Sequence, residues 1–197
     1  MVNRIILSRQ GRVKTTMPDA LYFIALVLPS PLYEEVTRLK EYFRDRYNSK
    51  AALRSPPHIT LHMPFKWKEK REQELILALK KFCTGRKGLE IELKNFGCFP
   101  PRVIFIDVVK TPELDRLQQD LAGFCRSELN LIHANWRNHP FNPHVTLAFR
   151  DLKKAAFADA WPEFQSRGFE AKVQIDAITL LKHNGQQWQK REEFVLG

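Results

Sequence analysis

The chain carries two copies of a His-x-Thr triplet, His58-Ile59-Thr60 and His144-Val145-Thr146. Proline precedes each copy, leucine follows each copy, and the two histidines are 86 positions apart (144 − 58). In a β-strand, alternate side chains share a face, so each triplet would present its imidazole and its hydroxyl on the same side. The rise along a strand would separate these two groups by roughly 6–7 Å, a gap that suits a phosphate.

Paired imidazoles and hydroxyls can carry out the cleavage of a phosphodiester bond by water. Imidazole has an ordinary pKa near 6.5, so one histidine can act as a neutral base while the other acts as a protonated acid. Threonine hydroxyls can donate to the non-bridging phosphate oxygens without adding charge. His58 and His144 as catalytic groups, with Thr60 and Thr146 as phosphate-binding groups, would therefore make a complete site.

A metal site is the main chemical alternative, because His58 and His62 are four residues apart. On a helix this spacing would let both histidines bind one zinc ion. Pro56-Pro57 and the β-branched residues that follow favour a strand, in which positions four apart are separated by about 13 Å. The spacing therefore favours a site that needs neither a metal nor another cofactor.

The triplets are expected to lie in strands that proline introduces. Pro56-Pro57 excludes helix and leads into a strand over 58–63, which Pro64 should end. Pro143 leads in the same way into a strand over 144–149. Apolar runs and alternating patterns predict further strands at 22–28, 89–93, 103–109, 170–181 and 187–196.

Helices are expected between these strands. Ser30 and Thr111 should cap two helices that have Pro31 and Pro112 in their first turns. A third helix is predicted over 69–82, and a fourth begins near residue 151 and is broken or kinked by Pro162.

The order of strand, proline-initiated helix, triplet strand, helix and strand occurs twice. It predicts an α+β fold of two pseudo-symmetric lobes, each a mainly antiparallel sheet with helices on its outer face and an active-site cleft between the lobes. We expect residues 1–19 to form an N-terminal extension and residues 20–197 one bilobal domain. The pseudo-repeats would cover about 20–99 and 100–197.

Composition sets further bounds on the class of protein. With 197 residues, 44% of them hydrophobic, the chain can bury a core without disulfides, and its three cysteines form no C-x-x-C pair. No apolar run approaches the roughly 18 residues of a membrane span. We expect a cytoplasmic, monomeric protein that does not bind a membrane.

The net charge of +10 favours polyanionic partners such as RNA or nucleotides. The solvated face of a helix is the alternative explanation for the densest part of this charge. That part consists of Lys66, Lys68, Lys70, Arg71, Lys80, Lys81, Arg86 and Lys87.

Other side chains near the triplets are candidates for substrate contact. Lys66 could approach the phosphate or be an exposed lysine. Four aromatic residues could stack on bases or pack at the rim of the core. They are Phe65, Trp67, Trp136 and Phe141.

The paired triplets resemble the 2H phosphoesterase superfamily, most closely its 2′-5′ RNA ligase-like and cyclic phosphodiesterase branch. The segments that carry the resemblance are FIALVLP, PPHITLHMPF, PPRVIFIDV and FNPHVTLAF. The resemblance implies a bilobal fold with a central cleft and metal-independent chemistry on 2′,3′-cyclic phosphates or 2′-5′ phosphodiester bonds. It also implies that His58 and His144 are the general acid and base and that Thr60 and Thr146 bind the phosphate.

Members of this branch often carry a basic residue five positions after the second histidine, where this chain has Phe149. Arg150 follows immediately and would share the face of His144 and Thr146 if the strand continued. Arg150 is therefore a further candidate for contact with the substrate.

Three functions remain open from the sequence. The first is a phosphodiesterase that acts on RNA ends or nucleotide cyclic phosphates. The second is the reverse reaction, 2′-5′ ligation of RNA ends by the same residues. The third is a non-catalytic RNA-binding module that uses the basic surface and the aromatic residues.

Overall fold

The computed structural model describes residues 19–131 and 140–197, which form eight strands and four α-helices. The strands are β1 (Asp19–Val27), β2 (His58–Lys68), β3 (Leu89–Phe99), β4 (Val103–Val108), β5 (His144–Ala148), β6 (Glu170–Ile175), β7 (Ala177–His183) and β8 (Trp188–Val195). The helices are α1 (Leu32–Tyr47), α2 (Glu72–Cys83), α3 (Pro112–Leu129) and α4 (Lys154–Gln165). No helix within the described ranges is long and apolar enough to cross a membrane.

All eight strands belong to one antiparallel sheet in the order β6-β3-β4-β5-β2-β1-β7-β8. The two triplet strands lie at its centre, where β2 pairs with β5 through a single register pair, Ile59 and Val145. Four strands lie on each side of this junction. The predicted α+β class with antiparallel strands is confirmed.

The two halves of the sheet are not two consecutive halves of the chain. Strand β3 lies with β4, β5 and β6, whereas β7 and β8 return to pair beside β1. A division of the chain at residues 99 and 100 therefore separates β3 from the strand β4 with which it pairs.

The expected single strand over 170–181 is wrong, because the chain breaks at Asp176 into β6 and β7. Strand β6 alternates between exposed and partly buried residues and pairs with β3, whereas Ile178 to Leu181 of β7 are all buried and β7 pairs with β1. Two burial patterns in one apolar stretch thus reflect two different positions in the sheet.

The first triplet strand is longer than expected, because Pro64 does not end it. Strand β2 continues to Lys68, and its register against β1 shifts between Ile24 and Tyr22. Proline lacks a backbone donor and is tolerated in a sheet at such a bulge.

The two predicted helix caps have different outcomes. The Thr111 side chain accepts a hydrogen bond from the Leu114 amide at 3.2 Å, as expected of a cap. No side chain caps α1, and the Ser30 hydroxyl donates to the Glu34 carboxylate at 2.7 Å, so the prediction for Ser30 is wrong. Helix α4 continues past Pro162 to Gln165.

The main core lies on one face of the sheet and contains the apolar residues of the helices and of the triplets. Ile59, Leu61, Val145 and Leu147 are at most 3% exposed and belong to this core. A second, smaller apolar cluster lies apart from it. Its buried members are Phe23, Ala25, Val27 and Leu181, with Tyr33 and Trp188 packed against them.

Candidate active site

The junction between the two halves of the sheet brings the triplets together. Ile59 and Val145 are direct antiparallel partners, so the residues beside them also face each other: His58 faces Thr146, and His144 faces Thr60. Such opposite pairs have Cβ atoms about 4.5–5.5 Å apart. Because Ile59 and Val145 point into the core, the four polar side chains share the other face, where all are half-buried.

Each catalytic candidate is oriented by a backbone carbonyl two residues earlier. The Nδ1 atom of His58 is 2.7 Å from the Pro56 carbonyl oxygen, and that of His144 is 2.8 Å from the Asn142 carbonyl oxygen. A carbonyl can only accept, so Nδ1 carries the proton and donates in both rings. In the neutral form of each imidazole, Nε2 is then left with the lone pair that can take a proton.

A proline lies between each histidine and its carbonyl partner, Pro57 in the first copy and Pro143 in the second. Proline fixes its own φ angle and restricts the residue before it to extended backbone. The proline that introduces each triplet thus belongs to the turn that orients the imidazole.

Two phenylalanines pack against the two imidazoles with nearly the same geometry. Ring centroids are 4.8 Å apart for Phe23 and His58, and also for Phe105 and His144, with interplanar angles of 47° and 48°. The sequence analysis did not identify these residues. A usable signal was present, since each strand next to a triplet strand contains a Phe-Ile pair, and the phenylalanine alternates with core residues.

The ring of Phe105 occupies space that Gly97 leaves open. The two residues are direct partners in β3 and β4, and a Cβ atom added to Gly97 would collide with the Phe105 ring. Phe99 also contacts both Phe105 and His144, at 4.6 and 5.3 Å between ring centroids. Gly97 therefore belongs to the support of His144 although it has no side chain.

The two histidines differ in their charged neighbours. Burial, together with a smaller effect of the nearby charge of Lys40, lowers the pKa of His58 to about 3. Burial also lowers the pKa of His144, but there the carboxylate of Asp107 acts in the opposite direction. Asp107 is the direct partner of His144 in the pairing of β4 with β5. Both imidazoles are therefore neutral near pH 7 in the unliganded protein, and His144 has the environment more favourable to a proton.

Lys40 is a buried lysine, only 2% exposed, close to the first triplet. Its ammonium group donates to the carbonyl oxygens of Ala52 and Ser55, at 3.2 and 3.0 Å. Its burial lowers its own pKa to about 7. The segment that Lys40 holds leads directly into Pro56, whose carbonyl orients His58.

Asp151 links the segment that follows the second triplet to a segment that precedes the first. Its carboxylate accepts hydrogen bonds from the Ser49 hydroxyl at 2.8 Å and from the amides of Lys50 and Ala51, each at 2.9 Å. Asp151 follows β5, whereas Ser49 to Ala51 precede the first triplet. The sequence analysis missed both Lys40 and Asp151, because a charged residue carries no local signal of the distant group that it will bind.

Most of the secondary candidates lie away from this cluster. Lys66 is exposed in β2, and six residues of strand separate it from Thr60 by about 20 Å, too far for contact with a phosphate held at the triplet. Phe65 packs against Tyr22, with 6.1 Å between ring centroids. Trp67 is 7% exposed, and its indole N–H donates to the Arg71 carbonyl at 2.8 Å. The packing alternative therefore holds for both aromatic residues.

Three further candidates have separate outcomes. Phe141 is half-buried and packs against the main core, and Trp136 lies outside the described residues. Strand β5 ends at Ala148, and Arg150 has a positive φ of 53°, so strand alternation does not carry its side chain to the face of His144. The Arg150 guanidinium lies over the Phe149 ring, 5.1 Å from its centroid.

The densest run of basic residues lies along the end of β2, the turn that follows and α2. Several of its charges are paired, since Arg71 bonds to Glu74 at 2.7 Å and Arg86 to Asp120 at 2.9 Å. This run is remote from the paired triplets, which agrees with the solvated-helix alternative.

Neither a thiol nucleophile nor a metal cluster is found among the described residues of the site. Burial raises the pKa of Cys83 to about 11 and that of Cys125 to about 12, so both remain thiols at neutral pH. Over residues 19–131 and 140–197, no three histidine, cysteine or acidic side chains come together in a group that could hold a metal ion.

Comparison with known proteins places this geometry in a wider context. Residues 28–187 match the family model described as the 2′-5′ RNA ligase superfamily. A Bacillus cytotoxicus protein named "Putative phosphoesterase" is 32% identical over 158 residues, which cover 78% of this chain and 86% of that protein. A protein of Geobacillus sp. (strain WCH70), also named as a putative phosphoesterase, is 30% identical over 159 residues, which cover 79% of this chain and 86% of that protein.

Two solved structures share the fold at about 20% sequence identity. TT0787 of Thermus thermophilus superposes with a TM-score of 0.64 over 89% of this chain and 97% of its own. Escherichia coli LigT, crystallised with 3′-AMP, superposes with a TM-score of 0.61 over 90% of this chain and 98% of its own.

Proposed function

Because the chain belongs to the 2′-5′ RNA ligase superfamily of 2H phosphoesterases, we propose that it is a metal-independent phosphodiesterase. Its substrates would be 2′,3′-cyclic phosphates, or related 2′-linked phosphodiester bonds, in RNA ends or nucleotides. The observation that carries the proposal is the pairing of Ile59 with Val145, which sets both His-Thr pairs on one face of the sheet. The crystals of LigT with 3′-AMP support a nucleotide as the ligand of this fold.

In the proposed reaction, the substrate phosphate lies between the two strands. Nε2 of one histidine takes a proton from water, and the water oxygen forms a new bond to phosphorus. The bond from phosphorus to the 2′ or 3′ oxygen breaks, and Nε2 of the other histidine gives a proton to that oxygen. Thr60 and Thr146 donate hydrogen bonds to the non-bridging oxygens, where charge builds up in the transition state.

The charged neighbours favour His58 as the base and His144 as the acid. Lys40 disfavours a proton on His58, which keeps its Nε2 available to accept one. Asp107 favours a proton on His144, which is the form that an acid needs. The negative charge of a bound phosphodiester would raise the pKa of both rings, and His144 would be protonated first.

The family description favours ligation as a second candidate, since the superfamily is described by 2′-5′ RNA ligase activity. The same two histidines would act in reverse, with one taking a proton from the incoming 5′-hydroxyl and the other giving a proton to the leaving oxygen. Product analysis separates the two activities. Cyclic-phosphate RNA with a free 5′-hydroxyl partner would give a longer chain by ligation and a terminal phosphomonoester by hydrolysis.

The test is a turnover screen in excess EDTA with three cyclic phosphates and one acyclic 2′-linked phosphodiester. They are RNA with a 2′,3′-cyclic phosphate end, a mononucleoside 2′,3′-cyclic phosphate, ADP-ribose cyclic phosphate and a 2′-5′-linked oligonucleotide. We expect activity that persists in EDTA and that falls by about 10²–10⁴-fold in His58→Ala and in His144→Ala. Thermal unfolding of both variants shows whether they are folded.

Unchanged turnover in both folded variants would overturn the proposal. Failure of the wild-type protein to turn over any of the four substrates would favour a non-catalytic RNA-binding module. In that case, both variants would bind RNA with the wild-type affinity and the wild-type dependence on salt.

A further inference from the structure

A pocket of about 420 Å³ lies beside the first triplet, between α1, the segment over 53–57 and the start of β8. Its volume is in the range of small-molecule sites. Pro56 and Pro57 line it, and the Pro56 carbonyl is the group that orients His58. The pocket and the paired triplets are therefore separated by a single turn of backbone.

The pocket lining contains three basic side chains and no carboxylate. The basic residues are Lys40, Arg54 and Lys190. Lys190 is paired with Glu193 at 2.6 Å, whereas Arg54 is exposed and has no carboxylate within salt-bridge distance among the described residues. Lys40 uses two of its three donors on carbonyl oxygens. A guanidinium with no carboxylate partner, in a pocket that also contains the hydrogen-bond donors of Lys40, favours a phosphate as the ligand.

Aromatic rings connect the pocket to the catalytic candidate. Tyr33 and Trp188 line it and are both half-buried. Trp188 packs edge-on against Phe23 at 4.6 Å between centroids, and Phe23 packs against His58 at 4.8 Å. Rings that are partly exposed in a pocket can stack on a nucleobase. The lining thus combines groups for a phosphate with groups for a base.

We propose that this pocket binds a second, phosphate-bearing nucleotide unit of the substrate, joined through ribose to the reacting cyclic phosphate. Arg54 and Lys40 would contact its phosphate, and Tyr33 or Trp188 would contact its base. This inference rests on the proposed function and narrows its substrate class. A mononucleoside cyclic phosphate would leave the pocket empty, whereas the end of an RNA chain or an ADP-ribose cyclic phosphate would fill it.

The experiment compares kcat/KM for cyclic phosphates with and without a second phosphate-bearing unit. Adenosine 2′,3′-cyclic phosphate is the reference, and the others are its 5′-phosphorylated form, a dinucleotide with the same 3′ end and ADP-ribose cyclic phosphate. We expect the 5′-phosphate to raise kcat/KM by about 10-fold or more, as for a charge-assisted contact. The dinucleotide and the ADP-ribose compound then identify which source of the second phosphate fits better.

The phosphate ratio is kcat/KM for the 5′-phosphorylated substrate divided by kcat/KM for the reference. This ratio should fall to about one in Arg54→Gln. Arg126→Gln is the matched control, because Arg126 is exposed on α3 and does not line the pocket. It should keep the wild-type ratio.

The outcomes separate the two proposals. If the wild-type protein turns over the reference but the 5′-phosphate does not raise its kcat/KM, the second-nucleotide inference is overturned. The phosphodiesterase proposal would still stand. Equal loss of the 5′-phosphate effect in Arg54→Gln and Arg126→Gln would also overturn the second-nucleotide inference. The 5′-phosphate would then respond to the net charge of the protein and not to the pocket. Absence of turnover with every substrate would overturn the phosphodiesterase proposal itself.

Discussion

Ile59 lies directly opposite Val145 in the register pair that joins the two halves of the sheet. Both side chains are fully buried in the main core. Because side chains alternate along a strand, this buried pair places His58, Thr60, His144 and Thr146 together on the opposite face. A contact between the two halves of the sheet thus also assembles the candidate site.

Truncation at this junction should cost stability. We expect Ile59→Ala to lower the free energy of unfolding by about 2–5 kcal/mol, because it leaves a cavity in a closely packed core. Ile59→Val is the matched control and should cost about 0.5–1.5 kcal/mol. Urea denaturation measures both values, and equal effects of the two substitutions would contradict close packing at this pair.

The hydroxyls of the triplets should matter more for the reaction than for the fold. Thr60→Val and Thr146→Val keep the β-branched shape but remove the donor, so we expect each to lower kcat by about 10²–10³-fold, as for the loss of one oxyanion donor. Thr60→Ser and Thr146→Ser should retain most of the activity. Valine variants with wild-type kcat would contradict a role for the hydroxyls in binding phosphate.

The charge of Lys40 should contribute, after burial, to the position of the acid limb of the pH profile of kcat/KM. If His58 is the base, its neutral form is required, so kcat/KM should fall only well below the ordinary imidazole pKa of about 6.5. Lys40→Met removes a positive charge that lowers the pKa of His58, so the acid limb should move to higher pH. A shift of the alkaline limb instead would mean that His58 is the acid.

Asp107 should influence the alkaline limb of the pH profile of kcat/KM. Its carboxylate raises the pKa of His144, which must be protonated to act as the acid. In Asp107→Asn, the pKa of His144 should therefore fall, and the alkaline limb of kcat/KM should move to lower pH. The same pH series with Lys40→Met and with the wild-type protein provides the comparison. A profile unchanged in Asp107→Asn would exclude this assignment for His144.

Gly97 should be intolerant of a side chain for a reason specific to the site. In Gly97→Ala, the new methyl group collides with the ring of Phe105, which packs against His144, so we expect lower stability together with lower kcat. Gly123→Ala is the control, because nothing lies within 4 Å of the added methyl group in α3. That change should be neutral or stabilising by up to about 1 kcal/mol. Normal kcat in Gly97→Ala would show that the position of Phe105 does not influence His144.

Local features of the chain could be predicted because they depend on local backbone chemistry. Proline before each triplet and alternation within it determined the strands and the shared face of histidine and threonine. The cap at Thr111 followed from its side chain and from Pro112 after it. Patterns of this kind failed where two environments met in one stretch, as at Asp176 between β6 and β7.

The sequence by itself determined which side chains are the candidates for the chemistry, and strand alternation predicted that each pair lies on one face of a strand. The tertiary structure decided that β2 and β5 are neighbours, so that His58 meets Thr146 across the junction. It also decided that Lys40, a charged residue of α1, is buried against the carbonyls of Ala52 and Ser55. Local periodicity carries no record of such contacts, because they form between segments that only the packing of the whole core brings together.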